Sequence, residues 1–322
     1  MYALFIGDVD DPHITRVRTY LEDRGHGVEV WDFSRLLETD MASIYPDNPK
    51  EMCVIKGNTL SFDLVWLRKW SRPNLSRLVD LGERDFIDRE VNGFIEGLLT
   101  RLDQMTVMTN SFSSFIRANS KSFQLQLAAS LNFPIPRTII SNDVRKIAEF
   151  IKSESPNRCI YKPLTRSWIE TNRGRMVIPT TLIDIGHLQD SDPVSLSPGI
   201  YQRAISKTKE VRAIVFGEHC IATEIYPDSC GDLIDWRIFY LAEGARPIRL
   251  PKKIEEFCRS MMSSLGIEFA AFDFAIDDEG IWIFLELNEA GNFTQQENLL
   301  PELRISECFS VFLESRCINS DS

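Results

Sequence analysis

Short apolar runs alternate with amphipathic stretches along the chain. Residues 2–7 (YALFIG) read as a buried strand, Ile14, Val17 and Leu21 recur at helical spacing up to the Gly25-His26-Gly27 stop, and residues 28–31 resume an apolar run. The pattern predicts a β-α-β opening. Two further strands, at 52–55 and 64–67, flank the turn-like Lys56-Gly57-Asn58, and a helix from about 83 to 102 closes a first unit near Thr109. Phe123, Leu127 and Leu131 then share one helical stripe. Asn132-Phe133-Pro134-Ile135-Pro136 forbids helix and leads into a strand at 137–140, with a second helix at about 144–153.

Beyond that helix, residues 158–163 form a short strand stopped by Pro163, and the Arg-, Thr- and Gly-rich stretch 166–175 reads as a hairpin or loop. A strand at 199–205 opens a strand-rich third unit, with strands at 211–216, 220–225, 235–240, 269–276 and 281–287 and helices at 254–265 and about 305–313. The expected organisation is three α/β layers in series: 1–110, 111–198 and 199–322.

Composition narrows the function classes. The chain has 322 residues, 43% of them hydrophobic and 26% charged, which is the composition of a folded protein of two or three domains. Its 36 basic and 47 acidic residues leave a formal charge of −11, a field that repels polyanions and gives no footprint for nucleic acid or an anionic membrane. Any phosphate-bearing ligand must meet a local basic site. The seven cysteines are scattered without a C-x-x-C, so neither a disulfide framework nor a zinc cluster is expected. With no signal-peptide layout at the start and no stretch long enough to span a membrane, a reducing cytoplasmic location is the expectation.

The most informative segment runs from Phe272 to Asn288 (FDFAIDDEGIWIFLELN), where alternating side chains around an acidic, Gly-ended turn predict a hairpin. If Asp277 to Gly280 form the turn, Ile276 pairs with Ile281. Asp273 then lies opposite Phe284 and diagonal to Glu286, with Glu286 and Asn288 on the same face. Three oxygen ligands converge. Such groups amid apolar residues are costly unless paired, and hard oxygens of this kind suit magnesium bridged to phosphates. A solvated sheet face that carries acids is the plainer alternative, which the dense Leu, Ile, Trp and Phe packing argues against.

Lys121, just inside a helix, and Lys162, at a strand end before Pro163, are weak signals taken alone and gain weight beside the acidic hairpin. Residues 201–205 followed by Glu210 look like an extended segment with backbone donors and acceptors. Arg212 and Arg237 are interior to predicted strands and need charged partners, either structural carboxylates or a phosphate. The four histidines (His13, His26, His187, His219) have no motif context, and no Ser-His-Asp or Cys-His set is evident.

Taken together, the pattern resembles the ATP-grasp ligases, an α/β (α+β) fold. Within them it resembles the maturases that build ω-ester and ω-amide macrocycles in ribosomal peptides, the graspetide or microviridin-type ligases. The resemblance is carried by Ala118-Asn119-Ser120-Lys121 with Gln124-Leu125 and Ala128, Ile135-Pro136-Arg137-Thr138, Tyr161-Lys162-Pro163, Tyr201-Gln202, Lys209-Glu210-Val211-Arg212, Asp235-Trp236-Arg237 and Phe284-Leu285-Glu286-Leu287-Asn288. Trp66-Leu67-Arg68-Lys69-Trp70 and Arg89-Glu90 look like the N-terminal region of that subgroup. After Asn288 the chain reads Glu289-Ala290-Gly291-Asn292-Phe293, where many relatives have a Pro-x-Gly-Gln-Trp-like run.

The resemblance implies ATP and Mg2+ as cofactors. Lys121 and Lys162 would contact the phosphates, Gln202, Arg203 and Ala204 would form the hinge strand under adenine, and Glu210 would hold the ribose. Asp273, Glu286 and Asn288 would bind magnesium, Arg237 and Arg212 would face the transferred phosphoryl group, and the 166–175 loop would cover the triphosphate. The implied reaction activates Asp or Glu side chains of a precursor peptide as acyl phosphates and closes esters with Ser or Thr, or amides with Lys. The implied partner is a ribosomal precursor peptide with leader and core, with the acidic segment 184–198, including Asp190 and Asp192, as one place for the leader and a solvated connecting loop as the other reading. A homodimer paired through the N-terminal region stays open. Two rivals remain: a ligase of the same fold that adds an amino acid to a protein or small molecule, and a nucleotide-binding module without catalysis.

Overall fold

The computed structural model describes residues 1–36, 42–47, 53–55, 58–59, 61–69, 81–154, 158–165, 168–171, 174–188, 191–225 and 245–318. The N-terminal unit contains β1 (Tyr2–Ile6), α1 (Pro12–Asp23), β2 (Gly27–Trp31), β3 (Ala42–Ile44), β4 (Cys53–Ile55), β5 (Asn58–Thr59), β6 (Leu64–Leu67), α2 (Leu81–Met105), β7 (Val107–Met108) and α3 (Phe112–Ala118). Its main sheet is parallel, in the order β2-β1-β6-β7, so the expected β-α-β opening is present. Parallel strands need apolar faces on both sides, and residues 3–6 of β1 are fully buried. Asp11 caps α1 by accepting from the His13 N–H, with Pro12 supplying the fixed φ of the first turn.

A second unit follows with α4 (Lys121–Ser130), β8 (Thr138–Ser141), α5 (Val144–Glu154), β9 (Cys159–Pro163), β10 (Trp168–Thr171), β11 (Gly174–Val177), β12 (Thr181–Ile183), α6 (Ser191–Leu196) and β13 (Gly199–Arg203). The third comprises β14 (Lys207–Phe216), β15 (His219–Ile225), β16 (Arg246–Ile248), α7 (Lys252–Leu265), β17 (Phe269–Asp277), β18 (Trp282–Asn288), α8 (Thr294–Leu299) and α9 (Ile305–Ile318). β10 and β11 pair as a hairpin that overlaps the stretch 166–175 predicted as hairpin or loop and runs two residues past it. The predicted strand at 235–240 lies outside the described residues.

One boundary and one packing relation differ from the sequence expectation. Gly199–Arg203 was expected to open the third unit, yet this strand lies between β8 and β9 in the sheet β12-β9-β13-β8. Its buried Tyr201 packs with Ile147, Phe150 and Cys159 of the second unit, so a cut at 198/199 separates the strand from its own sheet. Helix α4, placed in the second unit by sequence, contributes Leu125 and Ala128 to the core under the third unit's sheet, beside α7. Amphipathic spacing reveals a buried stripe but not which sheet receives it.

The third sheet, β16-β15-β14-β17-β18, positions the site. Ala213, Val215, Ala270 and Phe272 face α7 and α4, whereas Ile214, Phe216, Phe269 and Ala271 face α9 and the N-terminal unit through Phe5, Trp66 and Phe309. By the period of two, Glu210, Arg212 and Asp273 share that second face. It is apolar where the N-terminal unit covers it and charged farther along the same strands. Among the described residues no helix is long and apolar enough to cross a membrane.

Candidate active site

The β17–β18 hairpin closes through a three-residue loop rather than the expected two. Asp277 N–H donates to Ile281 O, Gly280 N–H donates to Asp277 O, and Gly280 takes a φ of 79°, a conformation that glycine adopts without penalty. Asp277 Oδ1 also accepts from the N–H groups of Glu279 (3.0 Å) and Ile281 (2.8 Å). Ile276 therefore pairs with Trp282, not Ile281. A bulge then takes in Leu285: Phe274 pairs with Phe284, but Asp273 pairs with Glu286. The loop and the bulge each shift the register by one residue in the same direction. Their sum preserves the face and brings Asp273 directly opposite Glu286, where the sequence placed Phe284.

Asn288 pairs with Ala271 on the same face, and its Nδ2 donates to Asp273 Oδ2 at 3.3 Å. On the other side of β17, Arg212 lies opposite Asp273 and its NH1 is 2.8 Å from both carboxylate oxygens. Both side chains are buried, so each guanidinium or carboxylate charge is neutralised by its partner rather than by water.

Lys121, the first residue of α4, places Nζ 3.3 Å from Pro163 O and 3.7 Å from Glu286 Oε2. Gln124 makes this placement firm. Its buried amide donates to Leu287 O (2.8 Å) and Ala118 O (2.6 Å) and accepts from Leu287 N–H (2.9 Å), satisfying the edge of β18 as another strand would. Lys162, on β9, acts on Glu210: burial pushes the Glu210 carboxyl up and Asp273 adds to that, while Lys207 and Lys162 oppose it. Lys207 is also ion-paired with Glu210. Lys121, Lys162, Glu210, Arg212, Asp273, Glu286 and Asn288 thus form one neighbourhood.

The hinge residues are more committed to the sheet than expected. Gln202 is buried and donates to Thr138 Oγ1 at 2.9 Å. Arg203 N–H donates to Arg137 O (2.9 Å) and Ala204 N–H to Arg158 O (2.7 Å), so neither donor is available to a base. The Arg203 side chain turns to the fully buried Glu154 at 2.5 Å, which Arg137 also approaches at 2.8 Å. Arg237, with Asp235 and Trp236, lies outside the described residues, as do Asp190, Trp70 and part of the 166–175 stretch.

Residues that the sequence did not single out complete the neighbourhood. His13 is buried, its Nδ1 2.7 Å from Asp11 Oδ1 and its Nε2 accepting from the N–H groups of Phe293 (3.1 Å) and Thr294 (3.2 Å). Burial pushes the imidazole below its ordinary range and Arg68 adds to this, against the pull of Asp11. Burial would raise Asp11, but the hydrogen bond with His13 and the charge of Arg68 outweigh it and hold the carboxyl low. Burial lifts Glu289 to about 7. The spacing of Ile14, Val17 and Leu21 marked the helix that carries His13, but a partner 280 positions away leaves no local signal.

No protein-family model and no curated protein matches the chain, whereas solved structures match along nearly its whole length. A RiPP-associated ATP-grasp ligase of Chryseobacterium gregarium, in complex with ADP and a leader and core peptide, is 24% identical with a TM-score of 0.85, over 98% of this chain and 97% of that one. The chain has the ATP-grasp ligase fold. Macrocyclase MdnC of Microcystis aeruginosa, bound with precursor peptide MdnA, is 22% identical with a TM-score of 0.84, over 97% and 99% of the two chains. ATP-grasp ligase PsnB, complexed with a minimal precursor, Mg and ADP, is 22% identical with a TM-score of 0.77, over 98% and 97%. In this ATP-grasp fold the facing strands β17 and β18 and the start of α4 bring together the carboxylates and the lysine described above.

Proposed function

We propose that the chain is an ATP-dependent peptide ligase that activates Asp or Glu side chains of a ribosomal precursor peptide and joins them to Ser, Thr or Lys side chains of the same peptide. The observation that carries this reading is Asp273 directly opposite Glu286, with Lys121 beside Glu286 and Asn288 on the same face. The fold shared with peptide-bound ATP-grasp ligases supports it.

Among the described residues no cluster of three His, Cys, Asp or Glu side chains forms a metal cage. Two carboxylates and an amide oxygen are instead the sparse, hard donor set that suits magnesium carried in with nucleotide phosphates. Asp273, Glu286 and Asn288 would hold it, and when bound it would supply charge neutralisation at the transferred phosphoryl oxygens. Lys121 and Lys162 would meet the phosphates, and Glu210, relieved of its pairing with Lys207, would accept from the ribose hydroxyls. Residues 202–204 would back the adenine, with base pairing left to backbone beyond the two N–H groups already engaged. Arg212 would turn one face toward developing negative charge while Asp273 keeps it in place, with Arg237 as a second cation.

The chemistry follows from leaving groups. A substrate carboxylate oxygen bonds to the γ-phosphorus as the bond to ADP breaks, giving an acyl phosphate. A hydroxyl or amine of the same peptide then bonds to the acyl carbon, phosphate departs and the nucleophile loses its proton. Positioning and charge stabilisation account for the rate, and no protein nucleophile is required. A cytoplasmic location, where ATP and newly made peptides are both at hand, goes with this reading.

The test uses the purified chain, ATP, Mg2+ and peptides from short neighbouring reading frames, chosen for repeated Thr or Ser and Asp or Glu near the C-terminus. Loss of one water per bond, with one ADP formed for each, is the expected result. A mass gain of one amino acid would favour the amino-acid ligase, and nucleotide binding without either product would favour a non-catalytic module.

A further inference from the structure

The turn that follows Asn288 is held at several points by the N-terminal unit. Asn110 Nδ2 donates to Glu289 O (3.1 Å) and Arg68 NH1 to Ala290 O (3.1 Å). His13 Nε2 receives the N–H groups of Phe293 and Thr294 and lies 3.0 Å from Asn292 Oδ1, and a flip of that amide turns its NH2 to the accepting nitrogen. Accepting those two donors requires the ring proton on Nδ1, where Asp11 Oδ1 at 2.7 Å receives it, against the Arg68 NH2 donor 3.2 Å from the same nitrogen. Asp11, the shorter of the two contacts, therefore favours the tautomer that leaves Nε2 to accept.

The same turn reaches the charged face of the third sheet. Asn292 O accepts from Arg212 Nε at 3.0 Å, and the other end of that guanidinium grips both oxygens of Asp273. An arginine bonded only to Asp273 could rotate about that contact. The second bond, to a carbonyl fixed from the N-terminal unit, removes this freedom and fixes the carboxylate plane in turn.

We infer that Asp11 and His13 are positioning residues of the reaction centre, which set the orientation of Arg212 and Asp273 through the carbonyl of Asn292. The inference rests on the functional reading above, in which Asp273 holds magnesium. Neither residue touches the reacting atoms. Their effect is that of an outer-shell partner, whose loss reduces metal affinity by about 10- to 100-fold. Replacing His13 by alanine leaves the N–H groups of Phe293 and Thr294 buried without an acceptor, so the turn moves and carries Asn292 O away from Arg212. Glutamine at the same place can still offer an oxygen to those two donors.

The experiment titrates Mg2+ calorimetrically into the full chain with ADP present in excess. Wild type is compared with His13→Ala, His13→Gln, Asp11→Asn and the exposed control Arg18→Ala, and thermal unfolding is followed in parallel. Expected are a loss of Mg2+ affinity of about tenfold or more for His13→Ala, a smaller loss for Asp11→Asn, recovery to within about threefold in His13→Gln, and no change in Arg18→Ala. If His13→Ala does not fold, Asp11→Asn against His13→Gln carries the comparison, because asparagine keeps the helix cap. Folded variants that bind Mg2+ as wild type does would overturn the positioning role and leave the functional reading intact. A wild-type chain giving no heat with Mg2+ and ADP would overturn the functional reading and this inference with it.

Discussion

Arg212 and Asp273 sit directly opposite each other on β14 and β17, with one guanidinium nitrogen 2.8 Å from both carboxylate oxygens. The pair is buried, so neither charge has water to fall back on. Arg212→Met should therefore destabilise the fold by about 3–5 kcal/mol, the cost of an uncompensated buried carboxylate. Adding Asp273→Asn should restore a large part of that loss, since no charge is then stranded. Urea unfolding of the two single variants and the double variant measures the coupling, and additive losses would show that the two residues are not energetically paired.

Glu286→Gln conserves volume and removes the charge beside Lys121. Product formation in the peptide assay should fall about 100-fold or more, because a carboxylate ligand is worth several kcal/mol of charge stabilisation. The far-ultraviolet circular dichroism should stay that of wild type. Undiminished turnover would remove Glu286 from the metal site.

Gly291 takes a φ of 50° in the turn after Asn288, and a methyl group there would run into the ring of Phe269. Phe269 is fully buried among Phe216, Phe293 and Phe309, so it has no room to give way. Gly291→Ala combines a left-handed backbone with overpacking, each costing about 1–3 kcal/mol. A fall in the thermal midpoint is expected, with a matching loss of Mg2+ affinity because the same turn carries Asn292.

Much of the candidate site's placement was legible because β-strand parity is robust. The loop length and the bulge at Leu285 were both missed, yet the two one-residue shifts add, and Asp273 still shares a face with Glu286 and Asn288. The strands themselves announced their core through runs such as residues 269–275, buried throughout. What the sequence withheld were long-range partners. Nothing near Gln124 says that its amide will satisfy both sides of Leu287, and nothing near His13 points to Phe293. Gly199–Arg203 shows the same limit at the level of a whole strand. An apolar run marks a strand but does not name its neighbours, here β8 and β9.

Gln124 also makes the edge of β18 testable. Gln124→Ala leaves the N–H and C=O of Leu287 buried without their side-chain partner, at a cost of about 1–3 kcal/mol for each unsatisfied group. Because Lys121 is one turn away on the same helix, KM for ATP should rise while the limiting rate changes less. Hydrogen exchange at Leu287 should quicken in the variant, and unaltered protection there would contradict the proposed pairing.

Acid should act on Asp11 and His13 in two stages. Burial holds the folded imidazole below 6.5, so as the pH falls through that value the unfolded chain takes up a proton that the folded chain does not, and stability is lost. Asp11, held low despite its burial, protonates first in the unfolded chain as the pH drops below 3.8, and a second loss follows. Glu210 and Glu289 act in the opposite sense, because burial raises both and the folded chain keeps their protons to higher pH. The whole-protein curve therefore mixes opposing slopes, and the difference between variants separates them. The advantage of wild type over His13→Gln should shrink as the pH falls below 6.5, and its advantage over Asp11→Asn should shrink only below 3.8. Urea midpoints across this range, taken without nucleotide or metal, provide the measurement. A His13→Gln difference that widens on acidification would mean that the folded imidazole is the better proton acceptor, against the burial argument.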